Sequence, residues 1–163
     1  MPGRLDTRRT PAPSCSSVGQ SGPAAGGRAY RDGVRFEFAF ENKYRPALAV
    51  LGVTPMTSRV DIDEEWFDAR FGPWRCRTPV DNIWCVQQSG PYSAVKAIGA
   101  RGSFADRGAT FGSTTAGGVC VQFRDAVKIL DPSGIIRHPG LTVTVSDRDG
   151  LVAAVRRFAD ITD

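Results

Sequence analysis

Residues 66–79 read WFDARFGPWRCRTP. Either side of Gly72-Pro73, large apolar residues alternate with polar ones, the period of two that sends successive strand side chains to opposite faces. Glycine followed by proline at the break suits a tight hairpin turn. Pairing the two runs across that turn sets Phe71 opposite Trp74, Ala69 opposite Cys76 and Phe67 opposite Thr78, so the large apolar groups share one face. The same register decides the other face. Asp68 falls opposite Arg77, whereas Arg70 falls opposite Arg75, a like-charge pair that is unfavourable across strands and needs compensation.

The pattern extends in both directions. Upstream, Val34, Phe36, Phe38 and Phe40 alternate with Arg35, Glu37, Ala39 and Glu41 as a half-buried strand. Pro46 opens a short helix over Ala47 to Leu51 that Gly52 closes. Val60 and Ile62 begin another strand, separated from the hairpin by the polar turn Asp63-Glu64-Glu65. Downstream, Thr78 to Asn82 turns the chain into an apolar strand from Ile83 to Gln88. Residues 89–118 are rich in Gly, Ser, Thr and Ala, and a connection of this length is either functional or contains short strands. Alternation returns from Gly118 to Phe123 through Val119, Val121 and Phe123, followed by a turn around Asp131-Pro132. Leu141, Val143 and Val145 form the last strand. Asp147 or Asp149 then caps a C-terminal helix with Leu151, Val152, Val155 and Phe158 on one stripe.

The chain has 163 residues, 41% of them hydrophobic and 23% charged, ordinary values for a single globular domain. Residues 1–33 lack any apolar periodicity and read as a disordered N-terminal tail, leaving 34–163 as one β-rich domain. The tail has no apolar core of a secretory signal, and no run approaches the roughly 20 apolar residues of a membrane-spanning helix, so the expected location is the cytoplasm. The net charge of +4 sits mostly in that tail. A nearly neutral domain without a nucleic-acid-reading motif argues against DNA or RNA as partner.

Catalytic and metal chemistry find little material. Cys15, Cys76, Cys85 and Cys120 include no Cys-x-x-Cys pair or zinc-ligand spacing, so no metal site or cofactor is expected. Cys76, Cys85 and Cys120 lie in apolar strands and read as buried thiols. A Cys76–Cys85 disulfide across neighbouring strands is open on geometry, but a cytoplasmic location argues against it. His138 is the only histidine and reads as a turn residue before Pro139. No Gly-x-Ser-x-Gly elbow offers it a nucleophile. Asp61, Asp63, Glu64, Glu65 and Asp68 read as a solvated acidic turn. The glycine pairs Gly99/Gly102 and Gly108/Gly112 match neither a P-loop nor a dinucleotide fingerprint.

One concentration of charge stands out. Between residues 70 and 107, Arg70, Arg75, Arg77, Lys96, Arg101 and Arg107 face only Asp81 and Asp106. Arginine presents a planar fork to phosphate and carboxylate oxygens, so these six are the candidate ligand-binding residues for a phosphate, a phospholipid headgroup or an acidic protein. The competing reading has them splayed into solvent or paired with the acidic cluster.

A meander of strands closed by one amphipathic helix, carried by WFDARFGPW (66–74), RTPVDNI (77–83), LTVTV (141–145) and DGLVAAVRRF (149–158), resembles bacterial pleckstrin-homology-like domains. The same stretches, with GPY (90–92) and DRGATFG (106–112), resemble a family of uncharacterised actinobacterial proteins. The resemblance implies a curved antiparallel sheet or small barrel plugged by the C-terminal helix, in domains that mostly bind proteins or lipids. The expected function is a non-catalytic binding module. Two alternatives stand beside it: a carrier or enzyme using a barrel pocket with His138 or Arg101 near its mouth, and a structural homodimer or larger homo-oligomer joined through edge strands.

Overall fold

The computed structural model describes residues 29–30, 33–91, 98–102, 107–130, 133 and 135–161. A five-stranded antiparallel meander comes first: β1 (Ala29–Tyr30), β2 (Gly33–Glu37), β3 (Ser58–Ile62), β4 (Trp66–Phe71) and β5 (Trp74–Pro79), in that spatial order. Between β2 and β3 lies helix α1 (Arg45–Val50), with Pro46 in its first turn and Gly52 at φ 76° just past its end. The β4–β5 register is the expected one in every pair, from Phe71 opposite Trp74 to Phe67 opposite Thr78. Gly72 makes the turn possible. Its φ is 58°, and a Cβ there would come within 2.7 Å of Val53 Cγ2 and 2.9 Å of the Gly52 carbonyl oxygen, so glycine is required on both counts.

A 3-10 turn at Val80–Asn82 leads into the second sheet. It contains β6 (Ile83–Ser89), β7 (Gly99–Gly102), β8 (Ala109–Gly112), β9 (Gly118–Lys128) and β10 (Arg137–Val143), in the order β6-β9-β10-β8-β7. Because β10 enters between β9 and β8, it is antiparallel to the first and parallel to the second. The mainly β expectation therefore holds, but the second sheet is mixed. Among the described residues the strands pair as two separate sheets and do not close into a barrel.

The two sheets share one core. Val60, Ile62, Phe67, Ala69 and Phe71 of the first sheet and Phe111, Val119, Val121, Leu141 and Val143 of the second are all buried in it. Phe71 stacks on Phe111 at 5.3 Å between ring centroids, and Phe38 meets Phe71 at 5.1 Å in a tilted pair, the offset contacts that aromatic quadrupoles favour. One corner is stitched by polar groups: Phe38 bridges Val145, Ala39 N donates to the Thr144 carbonyl, and Ser113 Oγ donates to the Ala39 carbonyl at 2.6 Å. Helix α2 (Arg148–Phe158) closes the core with Leu151, Ala154 and Val155. Its N-cap is Asp147, whose Oδ1 accepts from Gly150 N at 2.8 Å, satisfying an otherwise orphaned helix donor. No helix among the described residues is long and apolar enough to cross a membrane.

For the Gly-rich segment the expectation of short strands holds, as β7 and β8, whose small residues carry no alternation. Several other expectations need correction. Strand β9 continues five residues past Phe123, and β10 begins at Arg137, which places His138 inside a strand and not in a turn. Cys76 is a buried thiol and Cys120 a half-buried one, whereas Cys85 is disulfide-bonded; the reading of all three as buried thiols holds for Cys76 alone. The tail assigned to residues 1–33 lies outside the described residues, except that Ala29–Tyr30 and Gly33 pair as strand.

Candidate functional site

The outer face of the first sheet carries the charges that the hairpin register exposes. Asp61 on β3 and Asp68 on β4 are cross-strand neighbours, and each is held by two arginines. Arg35 Nε donates to Asp61 Oδ1 at 2.5 Å and Arg59 Nε to Asp61 Oδ2 at 2.9 Å. Arg75 grips Asp68 with Nε at 2.8 Å and Nη2 at 2.6 Å, and Arg70 Nη2 stands 3.6 Å from the same carboxylate. The like charges that face each other are thus interleaved with opposite ones. Burial pushes the Asp68 carboxyl up, but the Arg75 hydrogen bond and the charges of Arg75, Arg70 and Arg77 outweigh it and hold the group below the ordinary carboxylate range. A depression of about 220 Å³ lies over this face, and its charges largely neutralise one another.

Arg77 behaves differently. Although it lies directly opposite Asp68, its guanidinium carbon sits 4.3 Å from the ring centroid of Trp66, a cation–π contact that leaves the fork's edges available. It also lines a second and larger opening.

That opening is built by an irregularity in β9. Val127 lies opposite His138 and Gln122 opposite Gly140, so residues 123–126 of β9 face a single residue of β10. An extended bulge of this kind bends its strand and re-aims its side chains. Asn82 fixes the bend by acting as a surrogate peptide unit. Its Nδ2 donates to the Asp125 carbonyl at 2.9 Å and its Oδ1 accepts from Asp125 N at 2.8 Å, while Nδ2 also reaches Thr78 Oγ1 at 2.9 Å. Arg124 Nε adds a bond to the Asp81 carbonyl at 3.2 Å. Between the bulge and β5 lies a groove of about 570 Å³.

Four cations line it: Arg77 from β5, Arg124 and Lys128 from β9, and Arg137 from β10. Asp81 and Asp125 are the two carboxylates on its walls. No ion pair joins any of the four to a carboxylate among the described residues; every such pair there involves Arg35, Lys43, Arg59, Arg70 or Arg75. An excess of unneutralised cations around a concave opening attracts anions.

Of the six candidate residues read from the sequence, only Arg77 lines this groove. Arg70 and Arg75 are engaged by Asp68. Arg101 stands on β7, opposite Thr110, and the Arg107 carbonyl lies 2.7 Å from His138 Nδ1. Lys96 lies outside the described residues. Arg124, Lys128 and Arg137 were missed, because Arg124-Asp125 after Phe123 looks like the polar end of a strand. The alternation resuming at Val127-Lys128 was the available signal. The acidic turn is likewise divided in use: Asp61 and Asp68 neutralise arginines, and Asp63 Oδ1 accepts from the backbone N–H groups of Glu65 and Trp66 at 2.8 and 2.7 Å. Among the described residues no three His, Cys, Asp or Glu groups are arranged to hold a metal ion. Comparisons with protein-family models, curated proteins and solved structures found no match to this chain, so its function is read from the groove itself.

Proposed function

We propose that the chain is a non-catalytic binding module whose groove between β5 and the β9 bulge receives an anionic ligand, a phosphate-bearing group being the best chemical fit. The carrying observation is that Arg77, Arg124, Lys128 and Arg137 surround an open groove with no carboxylate paired to them among the described residues. Three of the four are arginines, whose forks bind phosphate oxygens two at a time. Stacking on Trp66 already orders Arg77, which lowers the entropy lost when a ligand takes hold. His138 supports binding over chemistry: it is only 5% exposed, and its Nδ1 is committed to a backbone carbonyl. The groove lies between two sheets, so the reading does not depend on the barrel implied by the pleckstrin-homology-like resemblance.

Calorimetric titration with inorganic tripolyphosphate tests this. The parent protein should bind, more weakly as salt is raised. Arg137→Glu should lose about tenfold or more in affinity, the scale of one charge-assisted contact reversed. Arg45→Glu, on α1 and outside the groove, makes the same charge change and should not. No binding by the parent, or equal losses in the two variants, would refute the groove.

A further inference from the structure

The groove has an apolar neighbour. Ile135 is 85% exposed and Ile136 58% exposed. They directly precede Arg137, whose cross-strand partner is Lys128. Burying branched aliphatic side chains is favourable, yet these two stand in water just ahead of β10, beside two groove cations. A small anion in solution would use the cations and leave the isoleucines wet. An anionic bilayer would use both, because its phosphates lie at the surface and its acyl chains begin just beneath. The other exposed apolar cluster, Val50, Leu51 and Met56 near α1, lacks this combination: the small pocket beside it has Arg45 as its only charged residue.

We propose that Ile135, Ile136 and the neighbouring groove cations dock on an anionic lipid surface, with the two isoleucines entering the headgroup–acyl boundary and the cations meeting lipid phosphates. This rests on the groove being an anion site and adds the identity of the surface that presents the anion. Charge complementarity selects the leaflet chemistry, and the isoleucine pair selects a membrane over a soluble polyanion.

The test is flotation of the full chain with phosphatidylcholine vesicles containing or lacking about 30% phosphatidylglycerol, alongside the tripolyphosphate titration. The parent should float only with the anionic vesicles. Ile135→Ser combined with Ile136→Ser, which removes the apolar contact without adding charge beside Arg137 and Lys128, should cut vesicle partitioning about tenfold or more while leaving tripolyphosphate affinity unchanged; Arg137→Glu should reduce both. Both isoleucines are exposed, so the double variant should melt with the parent. As an independent measurement, the emission of Ile135→Trp after subtraction of the parent's emission, which comes from Trp66, Trp74 and Trp84, should shift to the blue on anionic vesicles and not with tripolyphosphate. Tripolyphosphate binding without flotation would overturn the membrane inference and leave the groove standing, whereas neither binding would overturn both. Equal flotation of the isoleucine double variant, or binding to polyglutamate in place of vesicles, would also overturn it, the latter in favour of an acidic protein partner.

Discussion

Arg75 holds Asp68 through two hydrogen bonds, of 2.8 and 2.6 Å, although strand register sets Arg75 opposite Arg70 and Asp68 opposite Arg77. The diagonal reach cancels the repulsion between the two arginines, and it releases Arg77 to stack on Trp66. Asp68 is therefore a positioning residue for one wall of the groove as well as a structural ion pair.

Asp68→Asn should destabilise the chain by about 1–2 kcal/mol in urea unfolding. That is the scale of a charge-assisted hydrogen bond, reduced because Arg75 is nearly half exposed. Combining it with Arg75→Gln should cost less than the two single changes added together, because the second substitution removes the cation that the first strands. Strict additivity would show that the pair contributes nothing beyond its separate side chains.

Glu41 gives a prediction about acid. Thr115 N donates to its Oε1 at 2.6 Å, Thr114 and Thr115 hydroxyls reach the same oxygen at 2.7 and 2.9 Å, and Lys43 Nζ lies 2.9 Å from Oε2. The Thr115 backbone bond, then the Thr114 hydroxyl, Lys43 and the Thr115 hydroxyl lower its pKa from the usual 4.5 to about 2. A carboxylate whose pKa is depressed by folding stabilises the folded state above its unfolded pKa, and that contribution fades as pH falls through the folded value. The melting temperature of the parent should accordingly drop between 4.5 and about 2, and Glu41→Gln should flatten the profile in that window. Carboxyl-resolved NMR titration would check the group directly; a Glu41 midpoint near the ordinary value would refute the assignment.

The legibility of the chain follows the range of its contacts. The β4–β5 hairpin could be read in full because alternation and Gly72-Pro73 specify a local register, and the same reading exposed the Arg70–Arg75 conflict. Which carboxylate resolves that conflict depends on side-chain reach along a diagonal, which pairwise register does not encode. In the second sheet, β7 and β8 read GARG and ATFG, too short and small for periodicity, and β10 inserts between strands that precede it. The groove was hidden for the same reason: Arg77 meets Arg124, Lys128 and Arg137 only after two sheets have packed and β9 has bulged.

The thiols test the core. Burial pushes the Cys76 thiol far above its ordinary range, and the charge of Asp68 adds to the effect. Since the thiolate is the nucleophile, an alkylating reagent at neutral pH should modify half-buried Cys120 slowly and leave Cys76 untouched until denaturant is added. Cys85 should react only after reduction. Peptide mass spectrometry of each stage distinguishes the three; early labelling of Cys76 would mean that the face it packs into opens readily.

Asn82 should couple stability to binding. Its amide occupies Asp125's backbone donor and acceptor together with the Thr78 hydroxyl, and it links the turn after β5 to the part of β9 that carries Arg124. Asn82→Ala should cost about 1–2 kcal/mol, since it removes hydrogen bonds at a site water can reach. The more informative readout is amide exchange. Asp125 N–H loses its acceptor in the variant and should exchange much faster, while Val121 and Val119, paired inside the sheet, stay protected. Because the Arg124–Asp81 bond alone would then tie the bulge to the turn after β5, tripolyphosphate affinity should fall even though no cation has been removed. Asn82→Asp keeps the acceptor for Asp125 N–H and loses only the donors, so it should retain slow exchange at that amide. If Asn82→Ala accelerates exchange at Asp125 and leaves affinity intact, the groove cations are positioned by something other than the bulge.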